Sequence, residues 1–151
     1  MIGVVKIKRL KVVPDERGIF MEILMCDDNL FIDFGHTYMT ITYPIFVKGG
    51  YYYKKHIDNF IIVHDMIKVV LYDSREDSST FKEANEFFMG VHNPILLQIS
   101  QYVYHGFKCI TDYKDNCINL PTEKYDYDEP DKFIAEPHSS DILYDWNRKD
   151  G

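Results

Sequence analysis

Short runs of alternating apolar and polar residues recur along most of the chain, and turn residues separate them. A period of two is typical of β-strands that bury one face. The first run ends at the turn-like stretch Pro14-Asp15-Glu16-Arg17-Gly18. The runs predict strands within Val5 to Val12, Ile19 to Met25, His36 to Tyr43, Tyr51 to Tyr53, Phe60 to Val63, Ile67 to Tyr72, Ile95 to Ile99, Phe107 to Ile110 and Cys117 to Leu120.

Two further segments bear on the fold class. The segment Phe60 to Tyr72 is predicted to be a hairpin, because a His64-Asp65 turn separates its two apolar halves. The stretch Phe81 to Phe88 is the one run compatible with a helix. Eight or more short strands with so little helix favour a β-sandwich or barrel over an α/β fold. The sequence therefore predicts an all-β chain.

The length of 151 residues fits one domain, predicted to span residues 1–151. A 46% share of apolar residues allows a packed core and argues against disorder. From about residue 122 an acidic tail segment begins, and Glu123 to Asp131 holds five acidic residues against one lysine. This segment is predicted to be a solvated face, with Ile142, Tyr144 and Trp146 docking the tail onto the body.

Charge and composition exclude several classes of partner. The net charge is −7 and no Lys/Arg run exceeds two residues, which argues against nucleic-acid binding. No stretch approaches the roughly 18 consecutive apolar residues of a membrane span, and the N-terminus lacks the pattern of a secretory signal. Cys26, Cys109 and Cys117 form no CxxC pair, so neither a disulfide framework nor a zinc site is predicted. We expect a cytoplasmic protein without a cofactor.

Three segments, spread over nearly the whole chain, are similar to motifs of the dTDP-4-dehydrorhamnose 3,5-epimerase family. Residues Asp15 to Glu22 match D-x-R-G-x-F-x-E. Residues Lys48 to Tyr53 stand in the place of R-G-L-H-Y-Q, and Lys68 to Arg75 with the S-x-T-F-like stretch Ser78 to Phe81 follows at the right distance. His105-Gly106-Phe107 stands in the place of A-H-G-F. The order and nearly ungapped spacing of the motifs carry the resemblance.

The resemblance implies a cupin-like jelly roll, usually a homodimer in which an N-terminal strand joins the partner's sheet and covers an exposed edge. It also implies a ligand, a nucleotide-linked 4-keto-6-deoxyhexose, and a reaction that inverts the carbons flanking the keto group. That reaction needs a base whose pKa lies near the working pH, an acid on the opposite face, and a donor or cation at the enolate oxygen.

The family residues that fill these catalytic roles are replaced in this chain. Tyr51 stands at the base histidine, and an ordinary pKa of about 10 against about 6.5 makes its basic form costlier by roughly 5 kcal/mol. An ungapped count places Ile118 at the acid tyrosine and Asp58 or Asn59 at the lysine. The carboxylate that orients the family histidine has no counterpart in the count. If the chain is an enzyme, Tyr51 and His105 are the predicted proton-handling groups.

The binding residues of the family are better retained. By resemblance Arg17 pairs with a pyrophosphate, Phe20 stacks on a base, and Glu22 accepts from a base or ribose. Lys48 keeps the positive charge of the family's arginine but lacks the paired N–H donors of a guanidinium group. His36, in the place of a glutamine near the nucleotide, and Tyr53 complete the predicted substrate-binding set. His105 is expected to face the barrel interior with Phe107 and Cys109.

Each of these residues also has a purely structural interpretation. Asp15 to Gly18 is common turn chemistry, consecutive tyrosines suit any β-strand, and His105 is equally compatible with a satisfied core histidine. Metal-dependent cupins use an H-x-H pair, whereas His56 and His64 are eight residues apart, so no metal is predicted.

Two hypotheses for the function stay open. In the first, the chain binds a dTDP-linked 4-keto-6-deoxyhexose and acts as an epimerase or isomerase in deoxysugar biosynthesis. In the second, it is a non-catalytic sugar-nucleotide-binding or dimeric interaction cupin.

Overall fold

The computed structural model of the protein describes residues 1–136, 142 and 144–147. These residues form β-strands joined by turns, and none of them belongs to a helix that could cross a membrane. The strands are β1 (Lys6–Arg9), β2 (Val12–Asp15), β3 (Gly18–Met21), β4 (Tyr38–Thr42), β5 (Val47–Tyr52), β6 (Asp58–His64), β7 (Met66–Asp73), β8 (Ala84–Gly90), β9 (Ile95–Ile99), β10 (Val103–Cys109), β11 (Asp115–Asn119) and β12 (Phe133–Ile134). The all-β prediction is confirmed.

The strands assemble into two five-stranded antiparallel sheets and one separate hairpin. The first sheet has the order β1-β9-β6-β11-β4, and the second has the order β12-β5-β10-β7-β8. Strands β2 and β3 pair only with each other among the described strands. Apolar side chains from the inner faces of both sheets form the main core, as the alternation predicted: Phe60, Ile62, Ile67, Val69, Leu71, Met89, Leu97, Ile99, Val103 and Phe107, among others.

The segment Phe60 to Tyr72 is not a hairpin, so that prediction is wrong. Strand β6 pairs with β9 and β11, whereas β7 pairs with β8 and β10 in the other sheet. The residue between them, Asp65, has a φ of 57°, in the left-handed region that Asp tolerates. The sequence does not distinguish a corner between two sheets from a hairpin, because both use the same turn residues and both are flanked by apolar strands.

The helix-compatible stretch Phe81 to Phe88 contains no helix, because it begins in a turn and continues as a strand. Its residues from Ala84 onward form β8, which pairs with β7 along its whole length. In this edge strand, exposed and partly buried residues alternate from Ala84 to Phe88, and this gives it a mixed pattern. Pairing with β7 therefore decided the conformation, because local propensity is weak in so short a run.

The predicted docking of the tail is confirmed for the described residues. Ile142 and Trp146 are buried, and Lys108 Nζ donates a hydrogen bond to the Trp146 carbonyl at 3.0 Å. The indole lies against Gly106, where a Cβ would come within 3.1 Å of it and within 2.8 Å of the Gly49 Cα. Close approach of β5 and β10 at these two glycines leaves no room for a side chain.

The S-x-T-F-like stretch has a structural role. Asp73, at the end of β7, is fully buried, and its carboxylate accepts hydrogen bonds from three side chains. Arg75 donates through Nε at 2.8 Å and through a terminal nitrogen at 2.6 Å. The hydroxyls of Ser78 and Thr80 donate at 2.7 and 2.6 Å. Asp73 therefore ties the loop that follows β7 to the second sheet.

Candidate functional site

A cavity of about 690 Å³ opens between the two sheets. Strands β4, β6 and β11 of the first sheet and β5 and β10 of the second contribute its floor and sides, and the segment after β11 closes one wall. The residues that line it are His36, Thr37, Tyr38, Thr40, Lys48, Tyr51, Tyr53, His56, Phe60, Phe107, Cys117, Asn119, Pro121, Tyr125, Tyr127 and Lys132.

The lining of the cavity differs from the rest of the surface in charge. The chain as a whole carries a net charge of −7. The described residues that line the cavity nevertheless include two lysines and two histidines and no Asp or Glu, together with seven aromatic rings. Such a lining suits an anionic ligand that also presents flat or apolar surface.

A buried cluster of two imidazoles and one carboxylate lies at the inner wall. Asp58 is 1% exposed, and its two oxygens face different histidines. His56 Nε2 lies 3.3 Å from Oδ1, and His105 Nε2 lies 3.3 Å from Oδ2. His56 Nδ1 lies 4.0 Å from a carboxylate oxygen of Asp131. His56 lines the cavity, whereas His105 lies behind the wall.

Asp58 is held in place by amide side chains. Asn119 Nδ2 donates to Asp58 Oδ1 at 2.6 Å and contacts the Tyr38 hydroxyl at 2.8 Å. Asn119 Oδ1 in turn accepts from the backbone of Asn59 at 3.0 Å, and the Asn59 side chain accepts from Gln98 at 2.9 Å. The network orients the carboxylate before any ligand binds.

His105 and His56 differ in their hydrogen bonds. His105 Nδ1 lies 3.2 Å from the Val103 carbonyl, to which it donates, and this directs Nε2 toward Asp58. Burial lowers the pKa of His105, and the nearby Asp58 charge opposes that shift. His56 Nε2, by contrast, is a buried nitrogen without a hydrogen-bond partner in the described part of the chain. In this part of the chain, His56 therefore makes fewer hydrogen bonds than His105.

Two tyrosine hydroxyls share the site with the cluster. The Tyr53 ring lies against His56, with ring centroids 3.9 Å apart and ring planes tilted by 35°, and Tyr38 lies close enough to influence the Tyr53 hydroxyl. Burial, with Asp58 nearby, raises the pKa of Tyr53 well above its usual range and that of Tyr38 to about 12. Both phenols are therefore proton donors, not bases, at neutral pH.

The tail segment forms part of the site as well as a solvated face. Asp131 accepts hydrogen bonds from the backbone of Lys54 and of Lys55, and these bonds hold the segment beside the N-terminal end of β6. Tyr125 and Tyr127 then line the cavity, and Lys132 Nζ lies 4.3 Å from the centre of the Tyr51 ring.

The predicted site residues fall into three places. His36, Lys48, Tyr51 and Tyr53 line the cavity. His105 is buried behind Tyr53, with Phe107 and Cys109 buried on the same strand as expected. Arg17, Phe20 and Glu22 lie on or just after the β2–β3 hairpin, and none of them lines the cavity of its own chain.

The count of family positions on β11 needs a correction. Ile118 packs with Leu10, Ile61 and Leu96 on the outer face of the first sheet. The residues on either side of it, Cys117 and Asn119, line the cavity instead. Because side chains alternate along a strand, a count that is off by one residue selects the wrong face.

The pairing of His56 with Asp58 is a feature that the sequence analysis does not predict. By sequence pattern, His56 is a candidate only for a metal ligand, and Asp58 only for the place of the family's lysine. Their spacing of two residues at the start of β6 was the available signal, since residues i and i+2 share a face. In the described ranges, no group of three or more His, Cys, Asp or Glu side chains is arranged to hold a metal ion.

Comparison with known proteins identifies the family. No family model matches the sequence. The spore coat polysaccharide biosynthesis protein SpsL of Bacillus subtilis (strain 168) is 35% identical over 147 residues, which is 97% of each chain. The probable low-salt glycan biosynthesis epimerase Agl13 of Haloferax volcanii is 37% identical over 145 residues, 95% of this chain and 93% of its own.

Solved structures agree with the sequence relatives. The dTDP sugar isomerase from Desulfovibrio desulfuricans G20 has a TM-score of 0.92 at 25% identity, covering 99% of this chain and 94% of that one. Several dTDP-4-dehydrorhamnose 3,5-epimerases share the cupin-like jelly-roll fold at lower identity. With relatives above 30% identity over nearly its full length, the chain belongs to the dTDP-4-dehydrorhamnose 3,5-epimerase family of dTDP-sugar epimerases.

Proposed function

We propose that the protein binds a dTDP-linked 4-keto-6-deoxyhexose in this cavity and acts on it as an epimerase or isomerase in deoxysugar biosynthesis. The observation that carries the proposal is a cavity lined by aromatic rings and by no Asp or Glu. His56 is part of this lining, and its partner Asp58 is buried behind it. A volume of about 690 Å³ lies within the range of small-molecule sites. The names of Agl13 and of the Desulfovibrio isomerase support this class of reaction.

The proposed base is His56. An imidazole is the side chain whose ordinary pKa lies nearest to neutral pH, as removal of a proton beside a keto group requires. Of the two ring nitrogens of His56, Nε2 is buried and faces Asp58 Oδ1 at 3.3 Å, so Nδ1 is the one that takes up the proton, and the carboxylate stabilises the imidazolium that results. His105, hydrogen-bonded to the backbone and out of the cavity, acts through Asp58 as a positioning residue.

The proposed donor is the hydroxyl of Tyr53. Its raised pKa keeps the phenol protonated, so it can donate a hydrogen bond to the keto oxygen as negative charge develops there. Delivery of a proton from water to the same carbon on the other face inverts that carbon, whereas protonation of C4 with loss of the C3 hydroxyl proton moves the keto group and isomerises the sugar. Both outcomes share the first step, in which a carbon-bound proton leaves.

A homodimer is part of the proposal. The β2–β3 hairpin exposes 66% of Ile19 and 62% of Phe20, and a two-stranded hairpin is only marginally stable by itself. Pairing of the hairpin with the open edge of a partner's sheet would cover this surface and bring Arg17 to the partner's cavity. The exchange predicts a dimer by sedimentation equilibrium, and an Arg17→Ala protein that binds dTDP more weakly. A monomeric protein with full dTDP affinity would remove this part of the proposal.

Catalysis is tested directly by incubation with dTDP-4-keto-6-deoxyglucose in D2O. We expect the C3 or C5 proton signals to disappear from the NMR spectrum over hours, because deprotonation at those carbons lets deuterium enter. Titration calorimetry with dTDP serves as the companion measurement. Binding without any exchange would favour the non-catalytic sugar-nucleotide-binding cupin, and absence of both would contradict the proposed function.

A further inference from the structure

The short strand β12 places a lysine over the ring of Tyr51. Strand β12 pairs with β5 so that Phe133 lies opposite Tyr52 and Ile134 opposite Tyr51. The rings of Phe133 and Tyr52 stack on the outer face, with centroids 4.9 Å apart. Lys132, one residue earlier, therefore points to the other face, where its Nζ lies 4.3 Å from the Tyr51 ring centre. An ammonium at this distance from an aromatic face is held by a cation–π interaction.

Lys132 and Lys48 are the two lysines that line the cavity. Lys48 Nζ already donates a hydrogen bond of 2.6 Å to the Ile41 carbonyl. Within the described residues, Lys132 makes no ion pair with a carboxylate, although the tail segment around it is acidic. The Tyr51 ring thus directs the Lys132 ammonium at the cavity, where its N–H groups can donate hydrogen bonds to a ligand.

The depth of Lys132 in the cavity indicates which part of a ligand it meets. His56 and Phe60 are buried on the floor, whereas Lys132 and Tyr127 are exposed at the rim. In a nucleotide sugar the diphosphate joins the sugar to the nucleoside. A sugar that lies on the floor beside His56 therefore places its diphosphate toward the rim.

We propose that Lys132, carried on the ring of Tyr51, binds the diphosphate group of the nucleotide sugar. The inference rests on the proposed function, since it takes the same cavity and the same class of ligand. It assigns Tyr51 the role of a positioning residue that acts through Lys132, in place of a proton-handling role. It also adds the segment after Asp131 to the binding machinery, with a cation supplied by the residue that precedes β12.

Binding of dTDP and of thymidine, measured by titration calorimetry, tests the assignment. Lys132→Ala should weaken dTDP binding about tenfold, the loss expected for one charge-assisted contact, with a shallower dependence on salt. Thymidine, which lacks phosphate, should bind both proteins alike. Tyr51→Leu should lose about as much dTDP affinity as Lys132→Ala, and the conservative Tyr51→Phe should recover most of that loss. Lys124→Ala is the matched control, because Lys124 is an exposed lysine of the same segment outside the cavity.

The outcomes separate this inference from the function on which it depends. If the unchanged protein does not bind dTDP, the proposed function fails. If it binds dTDP and Lys132→Ala binds equally well, Lys132 is not a diphosphate ligand and the inference is overturned. An equal loss of thymidine binding in Lys132→Ala would point to general damage to the cavity and would overturn it too. Lys132 is exposed, so the melting temperature of the variant should match that of the unchanged protein.

Discussion

Replacing His56 by Gln is expected to slow the exchange of the C3 or C5 protons of dTDP-4-keto-6-deoxyglucose with solvent by about 10²- to 10⁴-fold. Glutamine is close to histidine in size and polarity but cannot take up a proton. The affinity for dTDP should change little, because the nucleotide is expected to bind nearer the rim. NMR in D2O and titration calorimetry on the same preparation measure the two effects.

His92→Gln provides the control for that substitution. His92 is an exposed histidine between β8 and β9 that does not line the cavity. Its replacement should leave the exchange rate unchanged. Exchange in His56→Gln at the rate of the unchanged protein would show that another group removes the proton, and the role given to the His56–Asp58 pair would be wrong.

Replacing Asp73 by Asn is expected to lower the free energy of unfolding by about 3–5 kcal/mol, the cost of breaking a buried ion pair from one side. The carboxylate is fully buried and accepts from Arg75, Ser78 and Thr80. An amide cannot accept from all these donors at once, and the Arg75 charge would lose its partner. Urea unfolding measures the loss, with exposed Asp112→Asn as the matched control. An unchanged urea midpoint for Asp73→Asn would contradict the structural role of the cluster.

The effect of Asp73 should depend on pH in a defined direction. Burial alone would raise the pKa of Asp73, but hydrogen bonds from Arg75, Thr80 and Ser78 outweigh it and lower the pKa below its usual range. A carboxyl whose pKa is lower in the folded state stabilises fully above its unfolded pKa of about 4, and that stability is lost as the pH falls below it. The stability difference between the two proteins should therefore be constant from about pH 8 to pH 5 and shrink on further acidification.

The alternation of apolar residues was enough to predict the all-β class and most strands, because one buried face imposes a period of two on any half-buried strand. Motif order was enough to identify the family, since the motifs report the chain path and not single contacts. Sheet membership was not readable in the same way: β6 and β7 look like a hairpin in sequence and lie in different sheets. The exchange of partners at Asp65 depends on contacts with β9, β10 and β11, which are distant in sequence.

By itself, the sequence determined the jelly-roll class and predicted Lys48, Tyr51 and Tyr53 as neighbouring residues of the binding site, which all line the cavity. Only the tertiary structure decided which distant residues lie beside this part of the chain. His105 reaches Asp58 across 47 positions of sequence, and Lys132 reaches Tyr51 across 81. The physical reason is that charge and proton transfer act over a few ångströms. Packing of the two sheets brings His105 of β10 to Asp58 of β6, and pairing of β12 with β5 brings Lys132 to Tyr51.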